Sequence, residues 1–181
     1  MNKQSGLTLM ELMIALAIGA ILITVVAPNV NHIVQQNQIV AQTNQSSSLL
    51  QFARANAVNE QFATTLCPTA DFQTCTNNWQ QALMVFSDEN NDNVRNDDEP
   101  LLASTERASA TTLISGPAQP FRFNPDGSSN ITASLVMCHQ NGDETKARGL
   151  YIALNGRVKT SQDSNNDGVY EDLDGNAIEC P

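Results

Sequence analysis

Apolar and polar positions fall into three successive patterns along the chain. From Leu7 to Ala27 the sequence is almost wholly apolar, and between Leu12 and Ala27 the one polar side chain is Thr24. Those 21 residues would form about 31 Å of helix, the thickness of a bilayer's hydrocarbon core. The run is too long for the apolar core of an ordinary cleaved secretory signal. It predicts a membrane-spanning helix, and Lys3 in the short leader holds that end cytoplasmic, so that the chain beyond the helix lies outside. From Asn29 to Asn59 the apolar positions thin to a three-to-four spacing: Val30, Ile33, Val34, Val40, Ala41, Leu49, Leu50, Ala53 and Ala57. This predicts an amphipathic continuation of the same helix, bent or loosened at Pro28, with Leu49, Leu50, Ala53 and Ala57 laid on a sheet. Beyond residue 60 the runs shorten to β-prone segments at 61–67, 81–87, 100–104, 111–114, 120–124, 134–139, 149–154 and 157–160. Turn signals such as Asn124-Pro125-Asp126-Gly127, Asn141-Gly142 and Asn155-Gly156 separate them. The expected fold class is α+β, one long N-terminal helix packed on an antiparallel β-sheet domain.

Composition narrows the picture. The 181 residues are 41% hydrophobic and carry 9 Lys+Arg against 19 Asp+Glu, a formal net charge of −10. Such apolar content excludes a wholly disordered chain, and such acidity argues against a protein that coats a polyanion with its whole surface. The charge is local, however. Twelve of the acids lie in 88–99 and 163–179 with a single base, Arg95, while the rest of the chain holds 7 acids and 8 bases.

Glu11 stands out inside the apolar stem, because a carboxylate in a spanning segment is costly and needs a partner. The leader Lys3-Gln4-Ser5-Gly6, the segment Leu7 to Glu11, the apolar run and Pro28 together resemble the type III signal of type IV pilins and pseudopilins. That resemblance implies cleavage after Gly6 by a prepilin peptidase and N-methylation of the new terminus, Leu7, where the family more often has Phe. It also implies that Glu11 neutralises the first amino group of a neighbouring subunit as stems bundle, with Pro28 at the family's helix-kinking position. The expected organisation is leader 1–6, transmembrane and assembly helix 7–28, and periplasmic globular domain 29–181.

The segments 49–61, 65–75, the lone Trp79, 82–102 and Phe121-Arg122-Phe123-Asn124-Pro125-Asp126-Gly127 resemble the globular domain shared by GspH pseudopilins and FimT/FimU minor pilins. The cysteine content and the Gly156-Arg157-Val158-Lys159 run favour the FimT/FimU branch. Four cysteines in an oxidising compartment allow three pairings, and the expected one is Cys67 with Cys75 and Cys138 with Cys180. A zinc reading lacks a second pair of close ligands. No nucleophile and base stand in a recognisable catalytic pattern, so the expected role is not enzymatic.

Two acidic loops have the spacing of calcium-binding loops. In 88–99 Asn93 replaces the turn glycine, and a solvated hairpin is the better reading. In 163–174, Asp163, Asn165, Asp167, the Val169 carbonyl and Asp174 supply hard oxygens around a turn at Gly168, which makes Ca²⁺ a candidate ligand. Between residues 146 and 159, Lys146, Arg148, Arg157 and Lys159 appear with no acid among them. Gly156-Arg157-Val158-Lys159 resembles the Gly-Arg-x-Arg motif with which FimT-type pilins hold DNA, so double-stranded DNA is a candidate partner. A solvated strand edge explains the same charges.

The expected function is that of a minor pilin in type IV pilus assembly, serving twitching motility, adhesion or DNA uptake. The alternatives are a GspH-like pseudopilin of a type II secretion system and a DNA receptor pilin. Expected partners are other minor and major pilins or pseudopilins, the prepilin peptidase and the inner membrane. A single pass through that membrane would precede display in a pilus or pseudopilus at the cell surface.

Overall fold

The computed structural model describes residue 6 and residues 8–180, the side chains of 25–29 excepted. The chain divides into two compact units, Met1–Asn37 and Gln38–Pro181. Helix α1 (Leu9–Glu60) begins in the first and ends in the second.

In the first unit Thr8 caps the helix. Its hydroxyl accepts from the Glu11 N–H at 3.2 Å, and its carbonyl accepts from Leu12. Thr8-Leu9-Met10-Glu11 thus has the sequence of a capping box, with the threonine satisfying a donor that the first helical turn leaves open. Leu9, Met10, Leu12, Met13 and Ile14 are each more than half exposed, and the pattern continues through Leu16, Ile18, Ile21, Leu22 and Ile23. Thr24, the polar exception, donates to the Ile21 carbonyl at 2.9 Å, so its hydroxyl is satisfied within the helix. Among the described residues no helix is long and apolar enough to cross a membrane; the side chains described in the apolar run stop at Thr24. Helix is present on both sides of Pro28, whose own side chain lies outside the described ones.

In the second unit α1 lays a stripe of Ile39, Thr43, Ser46, Leu50, Ala53 and Ala57 against the core. The alternating steps of four and three residues are those of one helical face. Val40 and Ala41, apolar positions of the expected continuation, stay off this stripe: Val40 is half-buried and Ala41 exposed, while Ile39 is fully buried. Two small polar residues complete the stripe, and Thr43 manages burial by donating to the Ile39 carbonyl at 2.8 Å.

The other described residues of this unit are built on eight strands: β1 (Thr64–Thr69), β2 (Ala82–Ser87), β3 (Leu101–Ser104), β4 (Thr112–Ser115), β5 (Phe121–Phe123), β6 (Ala133–His139), β7 (Arg148–Ile152) and β8 (Val158–Thr160). They form two four-stranded sheets, not one, ordered β3-β2-β1-β5 and β4-β6-β7-β8, with every pairing antiparallel. Alternation along each strand assigns its faces. In β2, Leu83 and Val85 join the main core with Leu50, Ala53 and Ala57, while Met84 and Phe86 face the other way into a small cluster with Cys67, Phe72 and Cys75. In the second sheet Leu135, Met137, Leu150 and Ile152 join the same main core. Cys138 and the partly buried Val136 face outward, against Ile178, Tyr170 and Cys180 of the C-terminal tail.

Trp79 fixes one end of the core. It tilts against Phe121 with ring centroids 5.7 Å apart, and its indole N–H donates to the Pro117 carbonyl at 2.9 Å. Gly116 packs so close that a side-chain carbon there would sit 2.6 Å from the indole. The neighbouring Gln80 lies along the outer edge of β4. With its amide assigned the orientation that satisfies both strand groups, the nitrogen donates to the Thr112 carbonyl at 3.0 Å and the oxygen accepts from the Ile114 N–H, so one side chain imitates the peptide of an adjoining strand.

Candidate functional site

The assembly residues inferred from sequence lie in the first unit. Glu11 is exposed on the first turn of α1, between apolar side chains that are themselves exposed. An apolar surface of this extent is stable in contact with lipid or with other apolar helices. Gly6 is exposed with open space around it. Leu7 and Lys3 lie outside the described residues.

Both disulfides close the outer faces of sheets. Cys67 on β1 bonds to Cys75, holding the loop that carries Phe72 over the first sheet. Within that loop Asp71 accepts from the backbone N–H groups of Thr74 and Gln73 at 2.8 and 2.9 Å and from the Thr74 hydroxyl at 2.9 Å. These donors, the backbone groups first, hold its carboxyl well below the usual range. Cys138 on β6 bonds to Cys180, tying the tail across the second sheet.

The four grouped cations separate in the structure. Lys146 is buried in a 3₁₀ turn, with its ammonium 2.7 Å from the Asp143 carboxylate. That hydrogen bond draws the Asp143 carboxyl below its ordinary range. Arg148 is buried on β7, donates to the Ala147 carbonyl at 2.7 Å and lies 3.3 Å from the centroid of the Tyr170 ring. Burial pulls its pKa down, and the neighbouring Tyr170 and Asp163 oppose that pull. Arg157 and Lys159 are exposed on the β7–β8 hairpin. The expected four-cation surface is therefore two exposed cations beside two structural ones. Glu171 and Asp172 of the tail share a cleft with Arg157 and Lys159.

Sequence reasoning passed over Arg54. From α1 its Nε donates to the Gly127 carbonyl at 2.8 Å and its Nη2 to the Asn155 carbonyl at 3.3 Å, pinning two turns to the helix. Gly156 lies against this arginine and the Gly127 carbonyl at φ +72°, where a Cβ would collide with both. The guanidinium then borders a cleft of about 790 Å³ between α1 and the hairpin, lined also by Gln51, Val58, Asn59, Asn155 and Arg157.

In the second acidic loop Asp163, Asp167 and Glu171 each place a carboxylate oxygen within 4.8 Å of the others. Asp163 and Asn165 both accept from the Asp167 N–H, and Gly168 donates to Asp163. Glu171 is buried and accepts from the Ser164 N–H at 2.7 Å. Three converging carboxylates suit a hard cation. Asp174 stands outside the group, in the next turn, where its N–H donates to Asp172. In the first loop Asp88 and Glu99 are buried. Glu99 accepts from the N–H groups of Glu89 and Asn96, while Asp88 accepts from the Thr65 hydroxyl and the Asp92 N–H. Burial raises the Asp88 carboxyl above its usual value, with the Thr65 hydroxyl working against it.

Two family models match the chain. One, described as type II transport protein GspH, covers residues 42–156, and the other, described as the prokaryotic N-terminal methylation motif, covers residues 1–27. No curated protein matches the chain in sequence. Among solved structures, the type IV minor pilin FimU of Pseudomonas aeruginosa is similar in two crystal forms. The P21 form has a TM-score of 0.55 at 20% identity over 71% of this chain and 92% of FimU. The P65 form has a TM-score of 0.50 at 20% identity over 67% and 91%. At that identity the likeness concerns the fold, a long helix packed on antiparallel sheets. With a GspH domain across more than half of its length and a methylation motif before it, the chain belongs to the GspH family of minor pilins and pseudopilins, structural subunits of type IV pili and type II secretion systems.

Proposed function

We propose that the chain is a minor pilin that helps start the assembly of a type IV pilus. In this reading the peptidase cuts after Gly6, Leu7 becomes the methylated terminus, and the stem crosses the inner membrane once with the globular unit on the periplasmic side. Glu11 then leaves lipid for a bundle of stems by pairing with the amino group of a neighbouring subunit, which answers the cost of a charge in an apolar medium. The observation that carries the reading is the helical segment from Leu9 to Ile23, apolar and exposed on all sides, with Glu11 in its first turn and a methylation motif over residues 1–27. The likeness in fold to the minor pilin FimU and the tail fastened by Cys138–Cys180 support the pilus over the secretion system. The description of the matching domain as a type II transport protein supports the second reading, a minor pseudopilin.

The test is genetic and chemical together. Deleting the gene should abolish surface pili and leave type II exoprotein release intact, and the purified protein should have lost Met1–Gly6 and gained one methyl group. Loss of secretion with pili intact favours the pseudopilin, and a retained leader in peptidase-competent cells overturns both readings.

A further inference from the structure

The cleft between α1 and the β7–β8 hairpin carries charge that pilus assembly through the stem leaves unused. Its lining is Gln51, Arg54, Val58, Asn59, Asn155 and Arg157 with Ala55, Gly156 and Val158, and it contains no acid. Arg54 is held in position by two turn carbonyls, so its remaining N–H groups are presented without a further ordering cost. Arg157 is exposed on the opposite wall. Two arginine forks over a partly apolar floor suit carboxylates borne on a short segment that also brings an apolar side chain.

The same fold offers such a segment. Loop 88–99 exposes Glu89, Asp92, Asp97 and Asp98 around Val94. It is shaped in advance by its own hydrogen bonds, from the Val94 N–H to Asp92 and from Arg95 to the Glu99 carbonyl. Continuous duplex DNA fits less well, because Glu171 and Asp172 share the next cleft with Arg157 and Lys159 and would face its phosphates. We propose that the Arg54/Arg157 cleft docks the acidic loop 88–99 of a second copy of this chain, a lateral contact between globular units. The proposal rests on the reading of the chain as a filament subunit.

Charge reversal tests it with the full-length protein in excess non-ionic detergent. Donor- and acceptor-labelled populations should show salt-sensitive energy transfer, with the apparent affinity falling about tenfold in Arg157→Glu and similarly in Asp97→Arg/Asp98→Arg. Mixing the two variants should restore the transfer, because each supplies the charge the other now lacks. Both substitutions lie at exposed positions, so folding is kept. Transfer that is absent, unchanged in Arg157→Glu, or not restored on mixing overturns the proposal. So does a duplex oligonucleotide that binds the parent protein when copies show no transfer. Loss of transfer alongside intact leader cleavage and pilus formation removes the docking alone, whereas transfer without pili removes the pilus reading.

Discussion

The Arg148 guanidinium lies 3.3 Å from the centre of the Tyr170 ring, and this contact couples strand β7 to a tail whose described residues form no regular strand of their own. A buried cation with one face on an aromatic ring is stabilised by the ring quadrupole where water has been removed. Tyr170→Ala should lower unfolding free energy by about 2 kcal/mol in urea titration, and Tyr170→Phe, which keeps the ring, should lose much less.

The Cys138–Cys180 bond closes a span of 42 residues. Replacing both cysteines with serine should cost about 3–4 kcal/mol through the freed unfolded chain. It should also open residues 161–180 to limited proteolysis before the rest of the globular unit, read as fragments by mass spectrometry.

Asp71 gives a pH dependence of defined sign. Its folded pKa is depressed below the ordinary value of 3.8, so the stability it contributes is present above that value and is lost as pH falls below it. Asp71→Ala should therefore melt at a lower temperature than the parent at pH 7, with the gap narrowing at pH 3. A gap of equal size at both pH values would contradict the assignment.

Gly156 supports Arg54 through close contact and a positive φ. Gly156→Ala should destabilise the globular unit by about 1–3 kcal/mol, because the added carbon meets the Gly127 carbonyl and the backbone is strained. Arg54→Met should recover part of the loss in the double variant, since one of the two clashing groups is then more yielding. Both are read from denaturant midpoints.

Glu11→Ala should leave the thermal unfolding of the globular unit unchanged, since Glu11 belongs to the other compact unit. In cells it should prevent incorporation into filaments while leader cleavage continues, scored by the mass of the chain and by surface pili.

How far each feature is legible in the sequence depends on the range of the interaction behind it. Leu83-Met84-Val85-Phe86 announces a strand because its alternation is local, and each of the eight expected β-runs overlaps an observed strand. The division into two sheets is not local: β5 returns to pair with β1 while β4 pairs with β6, and nothing in either short strand encodes its distant partner. The stripe on α1 is only half legible, because Thr43 and Ser46 look polar until their helix buries them. Spacing groups Lys146 and Arg148 with Arg157 and Lys159, and spacing carries no information about Asp143 or Tyr170 closing over them. Arg54 escapes notice because its contacts lie 73 and 101 residues away. Glu171 is different: an acid at the ninth position of the same loop is a signal available in the sequence, and the structure brings it, not Asp174, to Asp163 and Asp167.

Gln80 bears on how such subunits avoid one another. Proteins crowded side by side in a fibre risk fusing through open sheet margins, a contact that would spread without a natural end and resist dismantling. By occupying the hydrogen-bonding row of β4 with its own amide, Gln80 denies that margin to a neighbour. At that edge, then, a strand of another molecule finds no open row to extend, and contacts between neighbouring molecules must form elsewhere.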